Sequence, residues 1–190
     1  MPGKHTVLKH VLIGATLVAA IGLSACTTAV DPPPPLAAGE FGRAIVGPVA
    51  EQHIVTFDTL DFEVFSHQRW DRLHESHADD IIVSWPDGHD THGIQQHIRD
   101  LQQMFVHAPD TAIAQHPIRI AAGEWTAVTG VMTGTFTRPM HLANGTVIEP
   151  TGHHFSIPMA TIGHWVNGKM DHEWLYWDNQ TYMRQLGLIQ

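Results

Sequence analysis

An Asn-Gly pair near the end of the chain joins two long segments in which apolar and polar side chains alternate. The pair is Asn167 and Gly168, and the flanking segments are HHFSIPMATIGHWV and KMDHEWLYWD. Asn-Gly between such segments is the strongest short-range signal for a two-residue β-hairpin, because both turn positions need a positive φ. An earlier segment, EWTAVTGVMTGTFTRPM, also has strand character, with Gly130 and Gly134 as expected bend points. The second half of the chain is therefore predicted to form a strongly curved antiparallel sheet.

The first half of the chain is mainly helical in its spacing. Apolar residues repeat at helical intervals in GIQQHIRDLQQMF (93–105), which predicts a helix with His97 on its buried side. Helices are also predicted over 49–62, over 66–77 with Ser66 as the cap, and over NQTYMRQLG near the C-terminus. A short strand, DIIVSWPDG, lies between two of them. These elements predict an α+β fold, in which a cone-shaped, strongly curved antiparallel sheet packs against about three helices and encloses a pocket.

The N-terminal segment, residues 1–26, has the composition of a bacterial export signal. Two lysines precede an apolar stretch too short to span a bilayer, and Leu-Ser-Ala-Cys follows, ending at Cys26. This ending resembles a lipobox, in which Cys26 is acylated; a cleavable signal with an incidental cysteine is the alternative. A Pro-rich tether is predicted over 27–48 and one domain over 49–190. We therefore expect an exported protein, lipid-anchored in the outer membrane and facing the periplasm of a Gram-negative bacterium.

The composition argues against nucleic acid and against a metal ion as the basis of function. The net charge is −9 and there is no run of Lys or Arg, which is unlike a nucleic-acid-binding protein. Sixteen histidines are present, but neither His89 and His92 in GHDTHG nor His153 and His154 in GHHF has the spacing of a zinc site. We therefore expect most histidines at the surface and no metal site.

One carboxylate stands among aromatic residues at the end of the last predicted strand. Trp174, Tyr176 and Trp177 surround Asp178 in EWLYWDNQ. A carboxyl group in an apolar pocket has a raised pKa, which suits a general acid or base near neutral pH. Asp178 also precedes the last predicted helix, where an Asp side chain commonly accepts hydrogen bonds from backbone N–H groups. Both catalysis and helix capping are therefore open for Asp178.

Four segments resemble a known family. They are WPDGHDTHGIQQHI, GEWTAVTGVMTGTFTRPM, TGHHFSIPMATIGHWVNGKMDHEWLYWD and NQTYMRQLG. Over residues 51–188 the chain resembles the SnoaL-like polyketide cyclases of the nuclear-transport-factor-2-like α+β cone superfamily. The resemblance implies that Asp178 acts as general acid and base in an aldol-type ring closure without a cofactor, while His164 stabilises the enolate. It also implies a small apolar or carbonyl-containing substrate, and a homodimer formed through the outer side of the sheet.

The alternation of strand faces creates a conflict between these two catalytic residues. With a simple two-residue turn, His164 lies opposite Asp171 and shares its face with Glu173. Asp178 then shares the other face with His172. One extra loop residue or a β-bulge would remove the conflict. Otherwise His164 and Glu173 form an alternative pair, and His172 becomes the candidate partner of Asp178.

A further set of residues is predicted to line the pocket and bind the substrate. The set is His97, Trp85, Trp125, Trp174, Tyr176 and Glu173. His116, which precedes a proline, is expected to begin or edge a strand. Two functions fit this pattern: an acid/base enzyme acting on a carbonyl compound, or a lipoprotein that binds a small apolar ligand without turnover. The two functions differ in whether Asp178 points into an apolar pocket with a histidine in reach.

Overall fold

Three α-helices lie within residues 42–142 and 145–190, the parts of the chain that the computed structural model describes. They are α1 (Pro48–Thr59), α2 (Ile94–His107) and α3 (Asn179–Gln185). Helix α1 continues into a π-helical turn, Leu60–Phe65, and a 3₁₀ helix follows at Trp70–Glu75. Proline suits the first turn of α1, because its missing N–H would have no partner within the helix. The predicted export signal and its Cys26 lie outside the described residues.

Ten strands are found in the same parts of the chain. They are β1 (Arg43–Val46), β2 (His77–Ser84), β3 (Asp90–His92), β4 (Ala112–Ile113), β5 (Arg119–Ala122), β6 (Trp125–Thr135), β7 (Met140–His141), β8 (Val147–Ile148), β9 (His154–Val166) and β10 (Lys169–Trp177). Eight of them form one sheet in the order β1-β5-β6-β9-β10-β2-β3, with β4 beside β6. Strands β7 and β8 pair separately.

The large sheet is mixed. Strands β6, β9 and β10 pair antiparallel, as the hairpin pattern predicts, but β10 pairs parallel with β2 and β1 pairs parallel with β5. Parallel neighbours need a long connection, and the chain passes through helices between the strands of each parallel pair. The predicted α+β cone with a curved sheet and several helices is therefore confirmed, whereas the prediction that the sheet is antiparallel throughout is wrong.

The core lies between the helices and one face of the sheet. In β6 every second residue from Thr126 to Gly134 is buried, which defines the inner face of the sheet. Helix α2 buries Ile94, His97 and Leu101 along one side, in agreement with its predicted periodicity. The opposite side of the strands is the outer face. No helix in the described part of the chain is long and apolar enough to cross a membrane.

The sheet begins inside the segment that the sequence predicts as a tether. Strand β1 pairs residue by residue with β5, from Arg43 opposite Arg119 to Val46 opposite Ala122. The predicted tether, 27–48, therefore overlaps the first strand of the sheet.

The segment 66–77 does not form the predicted helix. The Ser66 hydroxyl donates to the backbone carbonyl of Asp61 at 2.6 Å and accepts from the N–H of Ile113 at 2.9 Å, so it does not cap a helix. Gln68 has a φ of 53°, which ends the helical path because an L-residue is strained there. The chain then makes only the short 3₁₀ helix, and His77 already belongs to β2.

The turn between β9 and β10 is the predicted two-residue hairpin. Asn167 has a φ of 53° and Gly168 a φ of 79°, and Val166 pairs with Lys169. Positive φ at both central positions is the geometry that favours Asn-Gly.

A β-bulge follows shortly after this turn. The register shifts between Met170 and His172, and His172 then lies opposite His164. Asp171 is the additional residue, so the inward and outward positions of β10 exchange beyond it. As a result, Glu173 lies opposite Gly163 with its side chain buried on the inner face.

Candidate active site

A cavity of about 40 Å³ lies between the inner face of the sheet and the helices; we call it the inner cavity. Most of its wall is apolar. Four titratable side chains are exceptions: Asp61, His77, His97 and Glu173. Buried titratable groups in a largely apolar cavity are where pKa values are most strongly perturbed, so this is the strongest candidate for an active site in the described chain.

Asp61 enters the cavity from the π-helical turn. Leu60, Asp61, Val64 and Phe65 are all buried there. Single π-helical turns are rare and are frequently found at functional sites. The Oδ2 atom of Asp61 lies 2.8 Å from Nε2 of His116. The other ring nitrogen, Nδ1 of His116, lies 2.7 Å from Oδ1 of Asp58, which also accepts a hydrogen bond from Nε of Arg119 at 3.0 Å.

The contact between Asp61 and His116 contributes to the pKa of both groups. Burial raises the pKa of Asp61, and the hydrogen bond from His116 offsets this only in part. Burial lowers the pKa of His116, but the hydrogen bonds and charges of Asp61 and Asp58 more than compensate and raise it overall. Both groups therefore hold a proton more readily than they do in water. A carboxyl group with a raised pKa beside a histidine has the properties of a general acid or base.

Three further side chains meet in the wall of the same cavity. His77 comes from the start of β2, His97 from α2 and Glu173 from β10. They are among the most buried polar residues described, at 1%, 2% and 5% relative exposure. Oε2 of Glu173 lies 3.6 Å from Nε2 of His77 and 3.6 Å from Nε2 of His97. One donor atom from each of the three lies within 4.8 Å of the others, so the group could hold a metal ion.

The charges in this group are determined by burial and by the close approach of the rings. Burial lowers the pKa of His97 to about 4, so its imidazole is neutral at neutral pH. Burial raises the pKa of Glu173, but the neighbouring His77 and His97 more than offset this and lower it overall. The group therefore carries a carboxylate next to a neutral ring.

A second, larger cavity adjoins the first. Its volume is about 290 Å³, and we call it the outer cavity. The two cavities share four wall residues: Trp85, Met104, Met132 and Trp177. Tyr182 and His107 also line the outer cavity, with the Tyr182 hydroxyl 2.7 Å from Nε2 of His107.

The structure brings three of the predicted pocket residues to the inner cavity. Trp85, His97 and Glu173 all line it. Trp85 donates from Nε1 to the Thr91 hydroxyl at 2.8 Å, which fixes its ring in the wall. That these residues bind a substrate stays a prediction.

Asp178 does not reach either cavity. Its Oδ1 accepts hydrogen bonds from the N–H groups of Gln180 and Thr181 at 2.9 and 3.2 Å, and its Oδ2 accepts from the Thr181 hydroxyl at 2.6 Å. These hydrogen bonds lower the pKa of the exposed Asp178 carboxyl. The predicted pocket position of Asp178 is wrong, because the start of α3 turns the side chain outward, and the alternative of helix capping is what the structure contains.

His164 lies on the outer face. The bulge places it opposite His172, and its Nδ1 lies 2.6 Å from Oδ1 of Asp171. The predicted pocket position of His164 is therefore wrong, and so is its alternative pairing with the buried Glu173. The other alternative, in which His172 is the partner of Asp178, is also wrong. His172 stacks on Trp174, with 3.7 Å between the ring centroids, and its Nε2 lies 3.3 Å from the Ser84 hydroxyl.

The remaining predicted pocket aromatics also lie on the outer face. Trp125 and Tyr176 are 50% and 51% exposed, and Trp125 stacks with Trp174 at 5.8 Å between ring centroids. The prediction that Trp125, Trp174 and Tyr176 line the pocket is wrong, because strand alternation directs them away from the helices.

Three residues of the site are missed by the sequence analysis: Asp61 and His77 line the inner cavity, and His116 is hydrogen-bonded to Asp61. The sequence predicts a helix at His77, a strand edge at His116 and a helix at Asp61. A signal for Asp61 exists in VTFDTLDF, where two aspartates follow apolar residues in a segment otherwise predicted to be buried. The expectation of no metal site considered only histidines close in sequence, whereas His77, His97 and Glu173 come from three separate elements.

One comparison with known proteins identifies a family. The family model of the SnoaL-like polyketide cyclases matches residues 58–186. No curated protein matches the sequence of this chain.

Solved structures share the fold at low sequence identity. A protein of Jannaschia sp. CCS1 assigned as a SnoaL-like polyketide cyclase is 17% identical, with a TM-score of 0.67 over 78% of this chain and 100% of its own. IdmH of Streptomyces antibioticus, assigned as a polyketide cyclase, is 22% identical, with a TM-score of 0.61 over 72% of this chain and 99% of its own. AclR of Streptomyces galilaeus, assigned as a hydroxylase, is 14% identical, with a TM-score of 0.61 over 75% of this chain and 89% of its own.

The family match covers most of the chain and includes Asp61, His77, His97, His116 and Glu173. It also includes α2, both long central strands and the β9–β10 hairpin. The chain therefore belongs to the SnoaL-like polyketide cyclase family.

Proposed function

We propose that this protein is an acid/base enzyme of the cyclase or isomerase type, and that Asp61 moves the proton on a small carbonyl-containing substrate. The observation that carries this proposal is the Asp61 carboxyl group in the wall of the inner cavity, hydrogen-bonded to His116 and with a raised pKa. Membership of a family named for polyketide cyclases supports the same class of reaction.

The proposed reaction begins at a carbon next to a carbonyl group. Asp61 accepts a proton from this carbon, the electrons of the C–H bond form an enolate, and His116 supports Asp61 through Oδ2. The oxygen left to meet the substrate is Oδ1. In a ring closure, the enolate carbon then attacks a second carbonyl, and Asp61 returns its proton to the alkoxide that results. In an isomerisation, Asp61 returns the proton to a different carbon.

The cavity volumes limit the size of the substrate. The inner cavity, at about 40 Å³, has room for one functional group, whereas the outer cavity, at about 290 Å³, is close to the lower end of small-molecule sites, roughly 300 Å³. The substrate body would occupy the outer cavity while its carbonyl group reaches Asp61. Met104 and Met132 in the shared wall are unbranched and can adapt to such a ligand.

The test follows proton exchange, which does not require the natural substrate. Small methyl ketones and 1,3-dicarbonyl compounds are incubated with the protein in D₂O, and exchange at the carbon next to the carbonyl is followed by NMR. We expect the wild-type protein to accelerate exchange, and Asp61→Asn to lose about a hundredfold or more of the rate because the amide cannot titrate.

Asp178→Asn is the matched control for this experiment. It makes the same chemical change in a carboxylate that caps α3 and is exposed. We expect this variant to keep the wild-type exchange rate. Equal rates for wild type and Asp61→Asn, or a loss confined to Asp178→Asn, would contradict the proposed role of Asp61.

A binding protein without turnover is the second candidate. The outer cavity favours it, because its wall includes Val106, Met140 and Leu142 and is mainly apolar. For this function, native mass spectrometry is expected to detect a co-purifying small molecule in wild type and Asp61→Asn alike, with no exchange activity in either.

We also propose that the protein is exported and lipid-anchored through Cys26. The proposal rests on Leu-Ser-Ala-Cys after the apolar stretch in the segment outside the described residues. Cys26→Ser is expected to abolish acylation and to release the protein from the membrane fraction. Membrane association that survives this substitution would mean that Cys26 is not an anchor.

A homodimer through the outer face is proposed as well. Trp125, Trp174 and Tyr176 form an exposed aromatic surface on β6 and β10. Exposed aromatic clusters on a sheet are typical of protein interfaces. Analytical ultracentrifugation measures the oligomeric state directly. A protein that remains monomeric at high micromolar concentration would reject the proposed homodimer.

A further inference from the structure

We propose that His77, His97 and Glu173 bind a divalent transition-metal ion, with open coordination positions that face the inner cavity. Two imidazoles and one carboxylate form a donor set that suits Zn²⁺, Fe²⁺, Co²⁺ or Mn²⁺, and suits Mg²⁺ or Ca²⁺ poorly. Three protein ligands with a position left open is the arrangement of catalytic metal sites, whereas structural sites are closed by four.

Two of the three distances between the donor atoms fit a shared ion. Oε2 of Glu173 is 3.6 Å from both Nε2 atoms, which is too long for a hydrogen bond. Two ligands with bonds of about 2.1 Å to one tetrahedral ion lie roughly 3.4 Å apart. All three donor atoms lie within 4.8 Å of one another, so the side chains face a common point and Glu173 is not hydrogen-bonded to either histidine.

An unpartnered nitrogen is the second observation. Among the described residues, Nε2 of His77 is buried and has no hydrogen-bond partner, and neither has Nδ1 of His97. A buried polar atom without a partner costs about 1–3 kcal/mol, and natural proteins retain few of them. A metal ion at Nε2 of His77 would satisfy that atom.

Ser76 can support His77 in the tautomer that a metal ion requires. The Ser76 hydroxyl donates to the carbonyl of Leu73 at 3.2 Å and lies 2.8 Å from Nδ1 of His77. With its single proton directed to Leu73, its oxygen is free to accept from Nδ1–H, and this tautomer has the lone pair of His77 on Nε2. A hydrogen bond to the second ring nitrogen is the usual support of a metal-bound histidine.

Space in the cavity agrees with this assignment. The inner cavity, at about 40 Å³, exceeds the roughly 10–15 Å³ that one water needs, so an open coordination position could hold a water or a substrate oxygen.

The chemical role of the ion rests on the proposed function, whereas the binding itself does not. A bound ion of this kind acts as a Lewis acid that polarises a carbonyl oxygen and stabilises the enolate charge. Asp61, which lines the same cavity, would then take the proton from the neighbouring carbon.

Cobalt and zinc titrations of the full domain, without any substrate, test the binding. The protein is first treated with a chelator and then titrated with Co²⁺, whose weak visible absorption becomes stronger and shifts when protein ligands replace its waters in a four- or five-coordinate site. We expect one tight Co²⁺ site per chain, displacement of Co²⁺ by Zn²⁺, and a higher Tm with Zn²⁺ bound. A spectrum that remains that of aqueous Co²⁺, or weak binding at several sites, would overturn the proposal.

Matched variants separate this site from the surface histidines. Glu173→Gln is nearly isosteric and is expected to weaken Co²⁺ binding more than tenfold. Ser76→Ala keeps all three ligands and is expected to weaken Co²⁺ binding by about tenfold. His164→Gln removes a histidine beside a carboxylate on the outer face and is expected to leave the affinity unchanged. If both cavity variants fold and bind Co²⁺ like wild type, the site is elsewhere and the proposal is wrong.

The outcome does not depend on the proton-exchange experiment. A protein that binds Co²⁺ at this site but shows no exchange sensitive to Asp61→Asn would keep the metal site and lose the proposed function. The opposite result is also possible: the protein has no Co²⁺ site, yet it catalyses exchange that requires Asp61 and continues after chelation. That result would keep the proposed function and reject the metal site.

Discussion

Asp61 and Asp178 are both aspartates near aromatic side chains, yet their surroundings give them opposite chemistry. Asp61 is buried against the inner cavity, and its pKa is raised because the charged form loses water. Asp178 is exposed and accepts three hydrogen bonds at the start of α3, and these lower its pKa. Only the first environment prepares a carboxyl group to exchange protons near neutral pH.

The capping role of Asp178 predicts a difference between two substitutions. Asp178→Ala is expected to lower the Tm by roughly 3–6 °C, because two N–H groups at the start of α3 lose their acceptor. Asp178→Asn is expected to stay close to wild type, since Asn is an equally good N-cap. Thermal unfolding followed by circular dichroism measures both. Equal losses for Ala and Asn would show that the charge, and not the hydrogen bonds, stabilises the helix.

At this scale the sequence could indicate a residue's chemistry but not its direction. His97 was placed on the buried side of α2 because helical spacing is regular over many residues. The direction of the Asp178 side chain depends on its capping of α3 at the end of β10. Neither the strand repeat of two residues nor the helix repeat of about 3.6 residues applies at such a junction. Asp61 was overlooked because its inward position comes from a π-helical turn, which has no periodic signature in the sequence.

Among the elements, the bulge at Asp171 has the largest effect on the site. Each residue of a strand alternates in direction, so one extra residue exchanges the two faces for the rest of β10. Beyond the bulge Glu173, Leu175 and Trp177 line the inner cavity, while Trp174 and Tyr176 lie outside it. The bulge therefore fixes which carboxylate meets His77 and His97.

The hairpin turn itself gives a prediction for stability. Gly168→Val is expected to lower the free energy of unfolding by about 1–2 kcal/mol, because a β-branched residue resists the φ of 79° found there. There is open space around Gly168, so the cost would come from backbone strain rather than from a clash. Urea unfolding of the variant measures this cost.

Gly168→Asn is the control, since Asn tolerates a positive φ better than other non-glycine residues. We expect it to lose less than half as much stability as the valine variant. A valine variant as stable as wild type would mean that the turn relaxes to another geometry at no cost.

The sequence predicted the elements with strong periodicity and missed those created by tertiary contacts. Helix α2 and the Asn-Gly hairpin are confirmed, because both have local signals that need no partner. The bulge has no such signal. The segment 66–77 lost its predicted helix because Ser66 bonds to Ile113, a residue far away in the sequence. That error moved His77 from the start of β2 to a helix and hid the cluster it belongs to.

At the scale of the whole molecule, the fold places several histidines in its interior, where water cannot stabilise their charge. Burial lowers the pKa of His53, His97 and His107. The family and the α+β class could be predicted from sequence because they depend on the order of elements. The interior cluster could not, since it joins residues from β2, α2 and β10.

These buried histidines predict that the protein loses stability in mild acid. The pKa of His97 is about 4 in the folded state, against about 6.5 in an unfolded chain. Above pH 6.5 the group is neutral in both states and contributes no pH dependence. Between about pH 6.5 and about pH 4, the unfolded chain binds a proton at His97 and the folded protein does not. The free energy of unfolding therefore falls as the pH decreases, by up to about 1.4 kcal/mol per pH unit for this one residue.

Urea unfolding of chelator-treated protein, from about pH 7.5 to about pH 5, tests this dependence. His97→Gln has the same neutral, polar character at every pH, so we expect a shallower loss of stability in acid than in wild type, whatever its stability at pH 7.5. Asp61 acts in the opposite direction: because its folded pKa is raised, proton uptake by the folded state stabilises the protein as the pH falls. In Asp61→Asn the free energy of unfolding is therefore expected to fall more steeply with decreasing pH than in wild type. The effect is opposite to that expected for His97→Gln. Parallel pH profiles for wild type and both variants would show that neither buried group titrates differently in the folded and unfolded states.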